Sequence, residues 1–398
     1  MLTRQLSKKL LADAKSYPVI SLTGPRQSGK TTLVRSTFPG HAYASLEDPD
    51  QRAFALEDPR GFLGQFPAGV VLDEIQRAPD LFSYIQVSVD EDDRPGRFVL
   101  TGSQNFLLLE RISQSLAGRC AVRHLLPFSM HELAGTAPPP LDALGRDLPD
   151  PARAPPVSLF EQLFTGCYPR IHDRGLDPQD WLANYFQTYL ERDVRDILAV
   201  GDLGTFRRFV DLCAGRNGQL LNLSALGADC GVTHTTARRW LSVLQASFIV
   251  RLLEPHHRNF NKRIIKSPRL YFLDTGLLCT LLRIRTPGDL RRHAARGAIF
   301  ECHVIAELLK RAMHAGCEPD LYFWRDAAGH EVDLLLDRGT GQVPVEIKSG
   351  ETIAADFFRG LDYWRSLAGD ENVPAVLIHG GERCYRRRGV TVYSWWGF

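Results

Sequence analysis

The first part of the chain alternates between two hydrophobic periods. Four leucines at helical spacing, with lysine and arginine residues between them, predict an amphipathic helix over residues 1–17. Short apolar runs, typical of buried strands, follow at residues 18–24, 68–74 and 97–103. A helix is predicted after the first of these runs, over residues 30–38. Strands separated by helices favour a parallel α/β sheet.

The remaining chain changes character several times. Residues 136–157 are rich in proline, which predicts a linker that closes the first domain. Leucine and aromatic periodicity then predicts helices, and the last hundred or so residues begin with a helix and continue as strands. The predicted division is a first domain at 1–135, the linker at 136–157, a helical region at 158–212, a winged-helix-like domain at 213–290 and a C-terminal α/β domain at 291–398.

Composition places the chain among ordinary globular proteins. Of its 398 residues 44% are hydrophobic and 24% charged, and the net charge is only +2, which argues against disorder and against a strongly basic protein that coats DNA. No apolar stretch has the length of a membrane helix, and the N-terminus does not look like a secretory leader. The eight cysteines form no C-x-x-C pair, so we expect reduced thiols in a cytoplasmic protein.

Charge is distributed unevenly along the chain. Residues 41–93 hold twelve acidic and three basic residues, whereas residues 251–296 hold eleven basic and three acidic ones. Two interpretations stay open. Both segments are solvated surfaces, or the basic segment meets a polyanion such as DNA.

A glycine-rich segment joins the first predicted strand to the helix after it. Residues 24–31 read GPRQSGKT and match G-x-x-x-x-G-K-[ST] in the strand–loop–helix context that this motif requires. Main-chain N–H groups and the start of the helix attract phosphate, Lys30 reaches the β- and γ-phosphates, and the Thr31 hydroxyl binds Mg²⁺. The sequence therefore predicts ATP and Mg²⁺ as ligands. The predicted nucleotide-binding residues are Gly24, Pro25, Arg26, Gln27, Ser28, Gly29, Lys30, Thr31 and Thr32.

Polar side chains end the next two predicted strands. Asp73 is expected to hold Mg²⁺ through water, and Glu74 to polarise the attacking water. Ser103 ends the third strand, where a polar group can lie beside the γ-phosphate. Arg111 and Arg119 lie just beyond, and either is a candidate arginine finger, in its own subunit or from a neighbour. We favour Arg119; a surface arginine or a carboxylate partner is the alternative.

Several longer stretches resemble a bacterial and archaeal family of AAA-type ATPases that join a P-loop domain to a C-terminal domain of unknown function. These stretches are GPRQSGKTTL, VVLDEIQRAPDLF, FVLTGSQNFLLLERISQSLAGR and LLPFSMHEL. The resemblance implies an AAA+ fold with ATP and Mg²⁺, and leaves the physiological substrate open. Lys30, Thr31, Asp73, Glu74 and Ser103 fall on the family's P-loop, acidic-strand and polar-sensor positions.

Residues 221–250 have the rhythm of a helix-turn-helix. Ser224 is predicted to cap a first helix, Gly231 to make the turn and Thr233 to cap a second helix. The predicted DNA-binding residues are Arg238 and Arg239 on the exposed face of the second helix, and Lys262, Arg263 and Lys266 where the wing of a winged helix lies. The alternative is that this module packs against protein.

The C-terminal domain carries an acid on one predicted strand, Asp333, and the triplet Glu346-x-Lys348 on the next. This pattern resembles that of PD-(D/E)xK nucleases. Asp333 and Glu346 are expected to hold Mg²⁺, with Glu301 on the preceding helix completing the ligands. Lys348 is expected to lower the pKa of a water or to stabilise the phosphorane. The alternative is a degenerate nuclease-like fold used for docking.

The sequence as a whole predicts an α/β protein. A P-loop (AAA+) parallel-sheet domain comes first, then a helical and winged-helix region, then an α/β domain like a restriction endonuclease. The predicted function is Mg²⁺-dependent ATP hydrolysis coupled to work on DNA. The alternative is a nucleotide-gated switch that binds a protein partner and has an inactive nuclease-like domain. No membrane contact is expected, and the oligomeric state stays open.

Overall fold

The computed structural model describes residues 2–103, 114–146, 157–189, 203–256, 266–318, 320–370 and 373–398. These residues form two compact units. The first unit comprises residues 1–128, 246–248 and 310–318, and the second comprises 129–245, 249–309 and 319–398.

A parallel sheet forms the centre of the first unit, as the sequence predicts, and it has five strands where the sequence indicated three. Its strands are β1 (Val19–Thr23), β2 (Ala42–Ser45), β3 (Val70–Asp73), β4 (Phe98–Gly102) and β5 (Cys120–His124). Their order across the sheet is β2-β3-β4-β1-β5. The helices are α1 (Leu6–Asp13), α2 (Lys30–Thr37), α3 (Pro49–Glu57), α4 (Pro59–Gly64) and α5 (Leu81–Glu91).

Both faces of this sheet are covered, which explains the near-continuous apolar runs of its strands. Val70 and Leu72 lie in a core with residues of α4 and α5 on one face. Val71, between them in the strand, lies in a second core with residues of α1 and α2 on the other face. Because successive side chains of a strand point to opposite faces of the sheet, one apolar run contributes residues to both cores.

A buried ion pair joins α1 to β5. The Asp13 carboxylate accepts hydrogen bonds from Arg123 Nε at 2.7 Å and Nη2 at 3.0 Å, and lies 3.1 Å from Lys9 Nζ. Burial raises the pKa of Asp13, but the hydrogen bonds from Arg123 and Lys9 outweigh it and the net pKa is lowered. A carboxyl whose folded-state pKa is lowered stabilises the fold above its unfolded-state pKa, and this stability is lost as the pH falls through the folded value.

We expect Asp13→Asn to reduce the free energy of unfolding by about 2–4 kcal/mol at neutral pH, because Arg123 loses its buried partner. The difference from wild type should shrink well below the ordinary aspartate pKa, where the wild-type carboxyl is also neutral. Urea unfolding at neutral and acidic pH measures both values. Asp90→Asn is the control, because Asp90 and its partner Arg119 are 45% and 38% exposed. This substitution should reduce the free energy of unfolding by less than ~1 kcal/mol. An equal loss at both pH values would show that charge is not the cause.

The second unit begins with helices and a β-ribbon. The helices are α6 (Met130–Ala134), α7 (Leu159–Thr165), α8 (Pro169–Arg174), α9 (Pro178–Tyr189), α10 (Leu203–Gly215), α11 (Leu223–Cys230), α12 (His234–Ala246), α13 (Thr275–Leu281) and α14 (Pro287–Arg292). Strands β6 (Val250–Leu253) and β7 (Arg269–Phe272) form the antiparallel ribbon.

The helix-turn-helix prediction needs one local correction. Asn222, not Ser224, caps α11, because its extended backbone lets the side chain accept a hydrogen bond from Ala225 N at 3.0 Å. Ser224 lies inside the first turn of the helix. Gly231 ends α11 in the left-handed conformation, with φ of +74°, and Thr233 accepts from Thr236 N at 3.2 Å ahead of α12, as predicted.

A six-stranded mixed sheet closes the second unit. Its strands are β8 (Leu321–Arg325), β9 (Glu331–Asp337), β10 (Gln342–Lys348), β11 (Ala375–His379), β12 (Tyr385–Arg387) and β13 (Val390–Ser394), in the order β12-β13-β11-β10-β9-β8. Helix α15 (Arg296–His314) precedes the sheet and α16 (Arg359–Ala368) connects β10 to β11. Strand β9 is antiparallel to its two neighbours β8 and β10, and β11 runs parallel to β10.

Part of the predicted linker packs on this sheet. Gly145 N donates to the Tyr393 hydroxyl at 3.0 Å, and Arg338 Nη2 donates to Leu144 O at 2.5 Å. A Cβ on Gly145 would lie 3.0 Å from a methyl group of Val376, so the glycine permits this close approach. The predicted domain boundaries themselves stay predictions.

Candidate nucleotide site and C-terminal carboxylate cluster

The glycine-rich loop joins the end of β1 to the start of α2. Gly24 has φ of +152°, and a Cβ there would lie 2.1 Å from Leu125 O. Gly29 stands at the N-cap of α2 with φ of +90°. Both positions therefore require glycine, one for space and one for its backbone conformation. The main-chain N–H groups at the start of α2 follow directly, as an anion site at a helix N-terminus requires.

The other loop residues differ in exposure. Lys30 is buried, and its Nζ donates to Gly24 O at 2.9 Å and to Pro25 O at 2.8 Å. Ser28 is also buried, and among the described residues its hydroxyl has no hydrogen-bond partner. Gln27 and Thr32 are exposed, and Arg26 is half-buried.

Asp73 lies beside this loop. Its Oδ2 accepts from Thr31 Oγ1 at 2.8 Å and from the Tyr43 hydroxyl at 2.7 Å, and its Oδ1 accepts from Thr101 Oγ1. Burial, followed by the bond to Asp73, raises the pKa of Tyr43 to about 12. The structure thus brings Thr31 and Asp73 together as the sequence predicts. Residue spacing did not single out Tyr43 and Thr101, because their roles depend on strand order.

Glu74 and Ser103 also meet. Strand β4 lies between β1 and β3, so Ser103 follows a strand that adjoins both the loop strand and the acidic strand. Ser103 Oγ donates to Glu74 Oε2 at 3.1 Å, and Gln76 Nε2 donates to the same oxygen. Glu74 adopts a left-handed backbone with φ of +57°, which is strained for a non-glycine residue. Hydrogen bonds and backbone together fix the direction of the Glu74 carboxylate.

Arg119 does not join these residues. It immediately precedes β5, whose Cys120 pairs in register with Val19 at the start of β1, whereas the loop follows the other end of β1. Its Nε lies 2.6 Å from Asp90 Oδ1 in a half-exposed ion pair. The expectation that Arg119 acts on its own subunit's nucleotide is therefore corrected, because a parallel sheet separates the two ends of its strands. A role from a neighbouring subunit stays a prediction, and Arg111 lies outside the described residues.

These groups fit a magnesium–triphosphate complex. Carboxylate and hydroxyl oxygens are the ligands that Mg²⁺ prefers. The buried Ser28 hydroxyl, without a partner in the described part of the chain, and the main-chain N–H groups of α2 supply donors for phosphate.

The predicted DNA-binding residues are partly described. Arg238 and Arg239 are exposed on α12, while Ala237, Trp240, Leu241 and Leu244 of that helix are buried. Lys266 is exposed just before β7. Lys262 and Arg263 lie outside the described residues. Helices α11 and α12, followed by the β6–β7 ribbon, thus present two arginines to solvent.

In the C-terminal sheet Asp333, Glu346 and Lys348 meet. Lys348 Nζ lies 2.5 Å from Glu346 Oε1 and 3.3 Å from Asp333 Oδ2, which also accepts from Ile347 N at 2.9 Å. Burial, and then the charge of Asp333, raises the pKa of Glu346 to about 8. Burial opposes the charge on Lys348, but Asp333 and Glu346 outweigh it and raise the pKa of Lys348. The Lys348 ammonium therefore lies against both carboxylates, and burial favours the protonated form of Glu346.

Glu301, which was predicted to complete the metal ligands, contacts two residues of the β6–β7 ribbon. Its Oε1 accepts from the Tyr271 hydroxyl at 2.5 Å and lies 3.3 Å from Arg269 Nη1, and Arg269 Nη2 lies 2.7 Å from Glu331 Oε2. Burial, and then the charge of Asp333, raises the pKa of Glu301 to about 7. Arg269 and Tyr271 come from the ribbon. The basic stretch before the ribbon predicted Arg269 as part of a wing, and no local pattern indicated its contact with Glu301.

The expected metal-ligand set is consequently corrected at Glu301. Across the described ranges no group of three or more histidine, cysteine, aspartate or glutamate side chains is arranged to hold a metal ion. Glu301 bonds Arg269 and Tyr271, and Lys348 lies against both remaining carboxylates. Binding of a metal ion by Asp333 and Glu346 without Glu301 stays a prediction. A membrane segment is also not found: in the described parts of the chain, every helix is too short or too polar to span a bilayer.

Family models match three successive parts of the chain. An AAA domain matches residues 16–134, a domain of unknown function (DUF8612) matches 157–288, and another (DUF4143) matches 296–398. Two curated relatives, uncharacterized proteins of Mycobacterium bovis and Mycobacterium tuberculosis, are each 34% identical over 353 residues. The match covers 88% of this chain and 74% of each relative.

Solved structures give weaker similarity. A Walker-type ATPase of Pyrococcus abyssi has a TM-score of 0.42 at 14% identity, over 70% of this chain and 95% of that one. A RuvB variant of Thermotoga maritima has a TM-score of 0.28 at 18% identity, over 63% and 89%. Similarity at this level says nothing about function. The identity and coverage of the mycobacterial relatives, with the matched domains, show that this chain belongs to their family and is an AAA-type protein with a C-terminal DUF4143 domain.

Proposed function

We propose that this protein binds ATP with Mg²⁺ and hydrolyses it at the site between the glycine-rich loop and β3. The observation that carries the proposal is the hydrogen bond of 2.8 Å between Thr31 and Asp73, with Glu74 and Ser103 joined beside it. A P-loop hydroxyl and the carboxylate at the end of a neighbouring strand are the groups that hold Mg²⁺ in P-loop NTPases.

Each residue has a defined task in this proposal. Main-chain N–H groups of the loop bind the phosphates, and Lys30 exchanges its bonds to the loop carbonyls for bonds to the β- and γ-phosphates. Thr31 and Asp73 would hold Mg²⁺, which would supply positive charge against the charge that develops on the phosphates. Glu74 orients and polarises the attacking water, and Ser103 holds the Glu74 carboxylate in place. The arrangement favours direct attack of water on the γ-phosphate.

Release of inorganic phosphate from ATP tests this function. We expect steady release with Mg²⁺ and none when EDTA removes the metal. Rates with duplex and with single-stranded DNA, at low and high salt, then show whether DNA stimulates hydrolysis. Purified protein that never releases phosphate, under any of these conditions, would contradict the proposal.

A second proposed function is DNA binding by a winged-helix module, which the exposed Arg238 and Arg239 on α12 favour. We expect the logarithm of the DNA-binding constant to fall linearly with the logarithm of the salt concentration. Replacing both arginines with alanine should reduce the slope by about 2, since each phosphate contact contributes close to one unit. Arg359→Ala is the control, because Arg359 is an exposed arginine of a different helix, at 81% exposure. Absence of binding at low salt would exclude this function.

The C-terminal cluster raises a third question, whether the domain cuts DNA. The proximity of Asp333, Glu346 and Lys348 favours a nuclease-like site, whereas their mutual neutralisation favours an inactive domain that docks a protein partner. Plasmid cleavage with Mg²⁺ or Mn²⁺ distinguishes the two. An active site predicts that Asp333→Ala and Lys348→Ala both abolish cutting. Equal cutting by wild type and both variants would assign the signal to contamination and support the docking alternative.

A further inference from the structure

Arg4 is a buried cation at the edge of the glycine-rich loop. It precedes α1 and is only 7% exposed. Its Nη1 donates to Ser28 O at 2.7 Å, and its Nη2 donates to Leu126 O at 2.6 Å. Its guanidinium also lies 4.7 Å from the ring centroid of Phe128. One side chain therefore joins the loop to the segment that follows β5.

The bond to Ser28 O fixes the orientation of a whole peptide group. A trans peptide is planar, and its C=O and N–H point in opposite directions. Because Ser28 O faces Arg4, the N–H of Gly29 in the same peptide points away from Arg4. Gly29 is the N-cap of α2, so its N–H joins the donors at the start of that helix. These donors are the ones that cradle the β-phosphate in a P-loop.

The segment after β5 that accepts the second hydrogen bond of Arg4 is itself fixed by several contacts. Leu125 N donates to Thr23 O at 2.8 Å, and Leu125 O touches the position where Gly24 lacks a Cβ. Lys310 Nζ donates to Phe128 O at 2.9 Å. The loop is thus supported at its start by direct contact with Leu125 and near its end through Arg4.

We propose that Arg4 is a positioning residue of the nucleotide site, which holds the Ser28–Gly29 peptide so that the Gly29 N–H is presented to the β-phosphate of ATP or ADP. This inference rests on the proposed nucleotide binding. Arg4 also places a positive charge behind the loop, which favours an anion in front of it. Neither effect requires Arg4 to touch the nucleotide.

The test compares Arg4→Met and Arg4→Lys in the full chain with Arg123→Met as the matched control. Arg123 is a partly buried arginine of the same unit, and it bonds Asp13 instead of the loop. Affinities for ATP and ADP come from calorimetry, KM and kcat from phosphate release, and stability from thermal unfolding.

We expect Arg4→Met to reduce the affinities for ATP and for ADP by similar factors of about tenfold or more, because both nucleotides carry the β-phosphate. KM should rise in proportion, with a smaller change in kcat. Arg4→Lys should recover part of the affinity, since an ammonium keeps the charge but lacks the planar fork that reaches two carbonyls. Arg123→Met should lower the unfolding temperature without changing either affinity.

Folded Arg4→Met with wild-type affinity for both nucleotides would overturn the inference and leave the proposed function intact. Wild-type protein that binds no ATP would remove the proposed function and the inference together. If Arg4→Met does not fold, Arg4→Lys decides: reduced affinity in folded protein supports the inference, and unchanged affinity overturns it. A loss for ATP alone, with ADP unchanged, would also overturn it.

Discussion

Lys30→Ala is expected to abolish stabilisation of the protein by nucleotide. A ligand that binds only the folded state stabilises it by about 2.7 kcal/mol at a concentration of 100 Kd. Lys30 is a cation of the loop, and its Nζ donates hydrogen bonds to the main-chain oxygens of Gly24 and Pro25. Without it, the triphosphate loses its main positive partner. Thermal unfolding with and without Mg²⁺ and ATP measures the effect.

The control for this experiment is Lys15→Ala, an exposed lysine of the same unit that follows α1. It should retain the full nucleotide-dependent rise in unfolding temperature. Without nucleotide, Lys30→Ala should remain folded, so a lost shift reports binding and not collapse. A full shift in Lys30→Ala would mean that ATP binds elsewhere, and the site described above would have to be abandoned.

Glu74→Gln is expected to leave ATP binding intact and to slow hydrolysis by roughly 100-fold or more, as removal of a general base does. Glutamine has nearly the same size, tolerates the same backbone and still accepts a hydrogen bond from Ser103 through its amide oxygen. It cannot, however, carry the negative charge that polarises water. Single-turnover phosphate release measures the rate, and calorimetry measures the affinity for ATP.

Ser103→Ala provides the comparison for that result. It removes the hydrogen bond of 3.1 Å that directs the Glu74 carboxylate but keeps the carboxylate itself. We therefore expect a smaller loss of rate than in Glu74→Gln, with ATP affinity unchanged in both. Wild-type rates in Glu74→Gln would show that another group activates the water.

Part of the first unit was predictable from local pattern, whereas β2, β5 and helices α3, α4 and α5 were not predicted. Buried parallel strands require continuous apolar runs, so β1, β3 and β4 were recognisable, and the loop between β1 and α2 carries its own motif. Cap positions were less predictable. Ser224 and Asn222 are both good N-cap residues two positions apart, and only the backbone conformation showed that Asn222 is used.

The P-loop, the acidic pair Asp73–Glu74 and the family resemblance were thus available from the order of residues, because each depends on short spacing along one strand or loop. Tertiary structure decided which distant side chains join them. The order of the strands placed Thr101 and Ser103 beside the acidic pair. The packing of the N-terminal segment against the loop brought Arg4 to Ser28. The parallel sheet placed Arg119 at the opposite end of the strands from the loop. Contacts between residues far apart in the chain depend on how elements pack, and no local period records that packing.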